Sequence, residues 1–116
     1  MTKLQLSHEA QNDLAQISEY ISKELDNPGA AKRILAQISK RMRMLITFPT
    51  LGASLATILP IQTKHRFLVA GSYVVFYRHD EGKNAVFVIR VLYGKRDFSK
   101  FFPNELREQE GSEEIS

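Results

Sequence analysis

The chain has 116 residues (13.3 kDa), of which 43% are hydrophobic and 25% charged, with a formal net charge of +3. That length fits one domain with one core, and the composition excludes a wholly disordered chain. There is no cysteine, hence no disulfide framework, thiolate nucleophile or Cys-based zinc site, and no apolar run approaches the roughly 20 residues that cross a bilayer.

Met1-Thr2-Lys3 runs straight into strand-like sequence rather than a signal-peptide hydrophobic region, so the expected location is cytoplasmic. Lys3-Leu4-Gln5-Leu6 alternates and reads as an edge strand. Ser7 is a good N-cap for a helix whose apolar stripe is Ala10, Leu14, Ile17, Ile21 and Leu25. Asp26-Asn27-Pro28-Gly29 interrupts it, and Asn27 before Pro28 is the start signal of a second helix. That helix has the stripe Ala31, Ile34, Leu35, Ile38, Met42 and Leu45, a second face bearing Lys32, Arg33, Lys40, Arg41 and Arg43, and a stop near Phe48 imposed by Pro49. Two amphipathic helices in tandem need a further surface to bury their stripes. A sheet is the expected cover.

Residues 50 to 64 show no sustained period and read as a long connection with apolar anchors at Leu51, Leu55 and Ile58. Three strands follow, over 65 to 70, 73 to 80 and 85 to 93. Gly71-Ser72 joins the first pair as a type II′ hairpin, and the turn over Glu81 to Asn84 joins the second. In the last strand, strict alternation sends Phe87, Ile89, Val91 and Tyr93 one way and Val86, Val88, Arg90 and Leu92 the other. Tyr73, Val75 and Tyr77 oppose Val74, Phe76 and Arg78. Both sheet faces are partly apolar, and the helical hairpin covers only one. The second face is therefore expected to stay open as a partner site.

Charge is unevenly placed. Residues 104 to 116 hold five Glu and one Arg, net −4, which leaves +7 on the rest of the chain. The single domain is accordingly set at 1–103, with 104–116 as an acidic, disordered tail. A basic body points to an anionic partner, either nucleic acid or an acidic protein surface. Tyr93-Gly94-Lys95-Arg96-Asp97-Phe98 places fixed charge at the rim of the sheet. Arg96 there is either a contact for a phosphate or partner, or half of a surface pair with Asp97. Arg90 stands among apolar residues in mid-strand and needs a partner or an opening to solvent. The imidazoles His8, His65 and His79 fall on different elements, so no metal cluster and no cofactor is expected.

Four segments occur in a recognisable order: Leu6 to Leu14, Phe48-Pro49-Thr50-Leu51-Gly52, Tyr73-Val74-Val75-Phe76-Tyr77-Arg78, and Ile89 to Phe98. In that order the sequence resembles the RelE/ParE superfamily of toxins from type II toxin-antitoxin modules over about Lys3 to Phe102. The resemblance implies an α+β fold, an N-terminal helical hairpin packed on a small, mainly antiparallel sheet. It also implies a cognate antitoxin and a toxin-antitoxin hetero-oligomer. Two activities are known in the superfamily: cleavage of ribosome-bound mRNA by RelE-like members and poisoning of DNA gyrase by ParE-like members. Metal-free RNA cleavage needs cations on the scissile phosphate and groups that move protons. Aligned on Tyr73, the catalytic arginine of RelE-like toxins falls at Val74, and their C-terminal tyrosine falls near Phe101 or Phe102. Arg66 and Arg96 match the remaining basic positions. Two of four positions are lost, which favours the ParE-like branch. That reading makes Arg96, Lys95 and Arg66 target contacts and Arg78 and Arg90 antitoxin contacts. The alternatives are a ribosome-dependent nuclease using His65, Arg66 and Arg96, or an inactivated relative kept for binding or autoregulation.

Overall fold

The computed structural model describes residues 2–60, 62–96 and 98–101; the acidic segment 104–116 lies outside them. In chain order the elements are β1 (Lys3–Leu6), α1 (His8–Glu19), a π-helical turn (Tyr20–Glu24), α2 (Pro28–Thr47), β2 (Ala53–Ser54), a 3-10 turn (Leu55–Thr57), β3 (Arg66–Ala70), β4 (Tyr73–Asp80), β5 (Ala85–Tyr93) and a second 3-10 turn (Phe98–Phe101). The sheet order is β1-β5-β4-β3-β2, antiparallel except for the parallel pair β1–β5. The helical hairpin thus leaves one edge of the sheet and delivers the chain to the other. The expected α+β architecture is borne out.

Both helix starts follow their caps. Ser7 Oγ accepts from Ala10 N at 3.0 Å, and Asn27 Oδ1 accepts from Ala30 N at 3.0 Å with Pro28 opening α2. Ala10, Ile38, Met42 and Leu45 bury against Leu68, Val75, Tyr77, Val86, Val88 and Val91, forming the main core between helices and sheet. Each such large apolar side chain contributes about 1.5–3 kcal/mol on burial. Leu25, expected on the same stripe, is 56% exposed. The cause is the π-helical turn, where Leu25 N bonds to Tyr20 O five residues back and shifts the helical phase.

Two further expectations fail. The stretch after α2 is not without structure: Ala53–Ser54 pairs with β3, and the following turn brings Leu55 and Leu59 onto the second face of the sheet. There they bury Val74, Phe76 and Leu92 together with Phe67 and Phe98, whose ring meets that of Phe76 edge to face at 4.9 Å. That part of the second face is therefore closed. The alternation of β5 also breaks, because Phe76 is opposite Arg90 while Tyr77 is opposite Val88, leaving Ile89 as an extra residue. Val91 consequently joins Val86 and Val88 in the main core, and Leu92 lies on the other side. Among the described residues no helix is long and apolar enough to cross a membrane.

Candidate functional site

β1 is four residues long, and among the described residues no strand lies beside the edge of β5 beyond Leu6. The helix that follows supplies the missing partners. Ser7 Oγ donates to Ile89 O at 2.7 Å, and Asp13 Oδ2 accepts from Val91 N at 2.9 Å. Arg90 closes the arrangement with two 2.8 Å bonds, Nε to Oδ2 and Nη2 to Oδ1 of Asp13. Asp13 is 7% exposed, so this is a two-pronged pair around a nearly buried carboxylate. The hydrogen bond that Arg90 donates to Asp13 raises the Arg90 pKa above its ordinary value, partly opposed by burial.

Above this pair opens a cleft of about 790 Å³ between the tip of the helical hairpin and the end of β5. Ile17, Ile21, Ile34 and Tyr73 contribute apolar lining, and Tyr20, Leu25, Tyr93 and Arg96 stand at more exposed positions. The rings of Tyr73 and Tyr93 meet edge to face at 5.8 Å. Burial, and then the neighbouring Tyr93 and Tyr20 phenols, push the Tyr73 hydroxyl above its ordinary value of 10.0. It remains a protonated donor at neutral pH. The rim is set by a turn in which Gly94 N donates to Ser72 O at 2.8 Å and Arg96 N to Tyr93 O at 3.1 Å. Arg96 borders this cleft, whereas Lys95 borders a smaller hollow of about 280 Å³ with Val69 and Val74. The two adjacent cations thus serve different sides of Tyr93.

The other expected site residues scatter. Arg66 Nε and Nη2 donate to Gly52 O at 3.1 and 2.7 Å, and Nη2 donates to Thr50 O at 3.2 Å. Gly52 N in turn donates to the Tyr77 hydroxyl at 2.9 Å, so Arg66 and Tyr77 together pin the chain leaving α2. His65 Nδ1 lies 2.7 Å from Thr63 Oγ1. Arg66 is opposite Tyr77, and Tyr93 is opposite Tyr73. Four strand residues, about 13 Å, therefore separate Arg66 from the level where the Arg96 rim begins. The Arg66 guanidinium is thus engaged by backbone carbonyls at one level of the sheet, and the Arg96 rim begins at another. Arg78 and Arg90 do not form one groove: Arg90 reaches α1, whereas Arg78 lies over the Phe87 ring at 5.0 Å with Asp80 3.8 Å away.

Sequence reasoning missed Asp13 and the tyrosines. The signal for Asp13 was its position three residues after Ala10, a carboxylate inside an apolar stripe. No comparable signal brings Tyr20, Tyr73 and Tyr93 together, because they come from three elements.

The model of the family described as the ParE toxin of type II toxin-antitoxin system, parDE, matches residues 4–98. The chain belongs to the ParE toxin family. No curated protein matches the sequence. Among solved structures, the chromosomal ParDE toxin-antitoxin system of Pseudomonas aeruginosa is similar at 21% identity, covering 80% of this chain and 96% of that one, with a TM-score of 0.65. A RelBE toxin-antitoxin complex of Mycobacterium tuberculosis is similar at 20% identity, 79% and 96% coverage and TM-score 0.58. The intact RelBE complex of Escherichia coli follows at 17%, 83% and 100%, and 0.50. At these identities the structural likeness establishes the fold, and the ParE-family match establishes a type II toxin.

Proposed function

We propose that this ParE-family toxin inhibits DNA gyrase by binding it through the Arg96 rim and the tyrosine-lined cleft, and that a cognate antitoxin neutralises it. The observation that carries this reading is that two positions matching a nuclease's catalytic groups are otherwise committed. Arg66 is committed to the carbonyls of Thr50 and Gly52. Val74, at the position of a catalytic arginine, is 6% exposed within the second core. What remains concentrated at the rim is tyrosine, leucine and arginine, with tyrosine and arginine prominent among the residues that anchor protein partners. The antitoxin partner is supported by the solved relatives, which are toxin-antitoxin systems or complexes. Arg78 and Phe87, outside the covered part of the second face, are the contacts offered to it, whereas the Arg90 guanidinium is engaged by Asp13.

The test is expression of the chain with supercoiling and translation assays run in parallel. Purified protein is expected to block gyrase supercoiling and trap cleaved DNA while leaving ribosome-bound messages intact. Message cleavage on ribosomes with gyrase untouched would replace this reading with the nuclease one.

A further inference from the structure

Helix α2 carries five cations in 20 residues and no acid. Four of them, Lys32, Arg33, Lys40 and Arg43, are exposed and fall within an arc of about 100° on the side away from Ala31, Ile38, Met42 and Leu45. The stripe they form is about 16 Å long. On a helix, residues three and four apart are neighbours, and every such neighbour of these four is neutral, apart from Lys40 and Arg43, which face each other with like charge. Among the described residues none of the four makes an ion pair. A helix face shaped by its own stability would mix signs, since like-charge pairs cost it a few tenths of a kcal/mol. This face keeps one sign throughout.

We propose that the outward face of α2 is a docking surface for the sugar-phosphate backbone of duplex DNA, separate from the Arg96 rim. Charge complementarity sets the class of partner, and the side chains between the cations narrow it. Ala36 is exposed within the stripe and Thr47 follows it, so it offers no aromatic or large apolar anchor. An acidic protein partner would require such an anchor at the centre of its interface. Single-stranded nucleic acid would require aromatic platforms for stacked bases. A straight row of cations with no amide side chain at its centre can hold phosphates without reading bases. Binding is therefore sequence-independent and strongly salt-dependent.

The probe is a fluorescein-labelled 20-base-pair duplex of arbitrary sequence, titrated with the purified full-length chain and followed by anisotropy between 50 and 200 mM salt. The variant Lys32→Gln/Arg33→Gln/Lys40→Gln/Arg43→Gln is expected to bind at least roughly tenfold more weakly, and the slope of log K against log salt to flatten by up to about 3.6, the value for four phosphate contacts. The control Lys3→Gln/Lys23→Gln/Lys64→Gln/Lys83→Gln removes the same charge from elsewhere and is expected to stay within roughly threefold of wild type. Circular dichroism on both variants verifies that the fold is intact. Equal weakening in the two variants would reduce the effect to net charge and overturn the proposal. So would tighter binding of a single strand of the same length, or capture of a poly-glutamate peptide in place of the duplex.

Discussion

Arg96 and Asp13 both border the cleft, yet physical reasoning separates their roles. Arg96 is exposed beyond the end of β5, where removing a surface cation changes stability by no more than about 0.5 kcal/mol. Arg96→Ala is therefore expected to abolish growth arrest while leaving the thermal midpoint and antitoxin binding near wild type. Lys83→Ala, in the β4–β5 turn, should alter neither. Full toxicity of Arg96→Ala would remove the rim from the mechanism. Asp13→Ala should behave in the opposite way. It removes both carboxylate bonds of the Arg90 guanidinium and the acceptor of the Val91 N–H, and a loss of about 3 kcal/mol in a urea titration is expected, the low end for breaking a buried pair because a quarter of the Arg90 side chain remains in solvent. Arg90 shows how far residue-level reading reaches. Its isolation among apolar neighbours announced that it needed a partner, but the partner lies 77 positions away on α1. Only the docking of α1 against β5 discloses which carboxylate that is.

At the scale of elements, strong local signals were legible and phase shifts were not. Ser7 and Asn27 fixed both helix starts, and Gly71, at φ +62°, supplies the backbone that the β3–β4 turn requires. The extra residue at Ile89 and the π-helical turn at Tyr20–Glu24 leave no mark in an apolar pattern, because each depends on what the element packs against. They changed the assigned faces of Val91 and Leu25. The segment after α2 was unreadable for a related reason: Gly52, which leads into its two-residue strand, is held by distant partners, the Arg66 guanidinium and the Tyr77 hydroxyl. That dependence is measurable at Gly52, where a Cβ would collide with the Phe67 carbonyl. Gly52→Ala is expected to cost about 1–3 kcal/mol, as overpacking does. It should also raise hydrogen exchange at Leu55, whose N–H bonds to His65 O. Unchanged exchange there would mean that the segment is held independently of Gly52.

For the molecule as a whole, β5 is the shared member. It pairs with β1 and β4, receives α1 through Asp13, and contributes to both cores. Unfolding is accordingly expected to be a single transition, with coincident midpoints for far-ultraviolet helical signal and for tyrosine signal from the cleft. A separate, earlier loss of helical signal would show that the hairpin is not locked to the sheet. The family and fold were legible at this scale because the order of segments survives where individual contacts cannot be seen. The dispersal of Arg66 and Arg96 was not, since both occupy family-like positions in the sequence.

The parallel pairing of β1 with β5 also sets a timetable for synthesis. Ser7 bonds to a carbonyl 82 residues downstream, so the first strand has no partner until nearly all of the domain has left the ribosome. At about 5–20 residues per second, that is a wait of about 4–16 s for each nascent chain. The rim at Lys95 and Arg96 is translated after β5 and takes its place only when that strand is held on both sides. A chain stalled before Ile89 therefore lacks both the clasp and the rim, and the surface proposed to bind gyrase appears only after the strand that carries it.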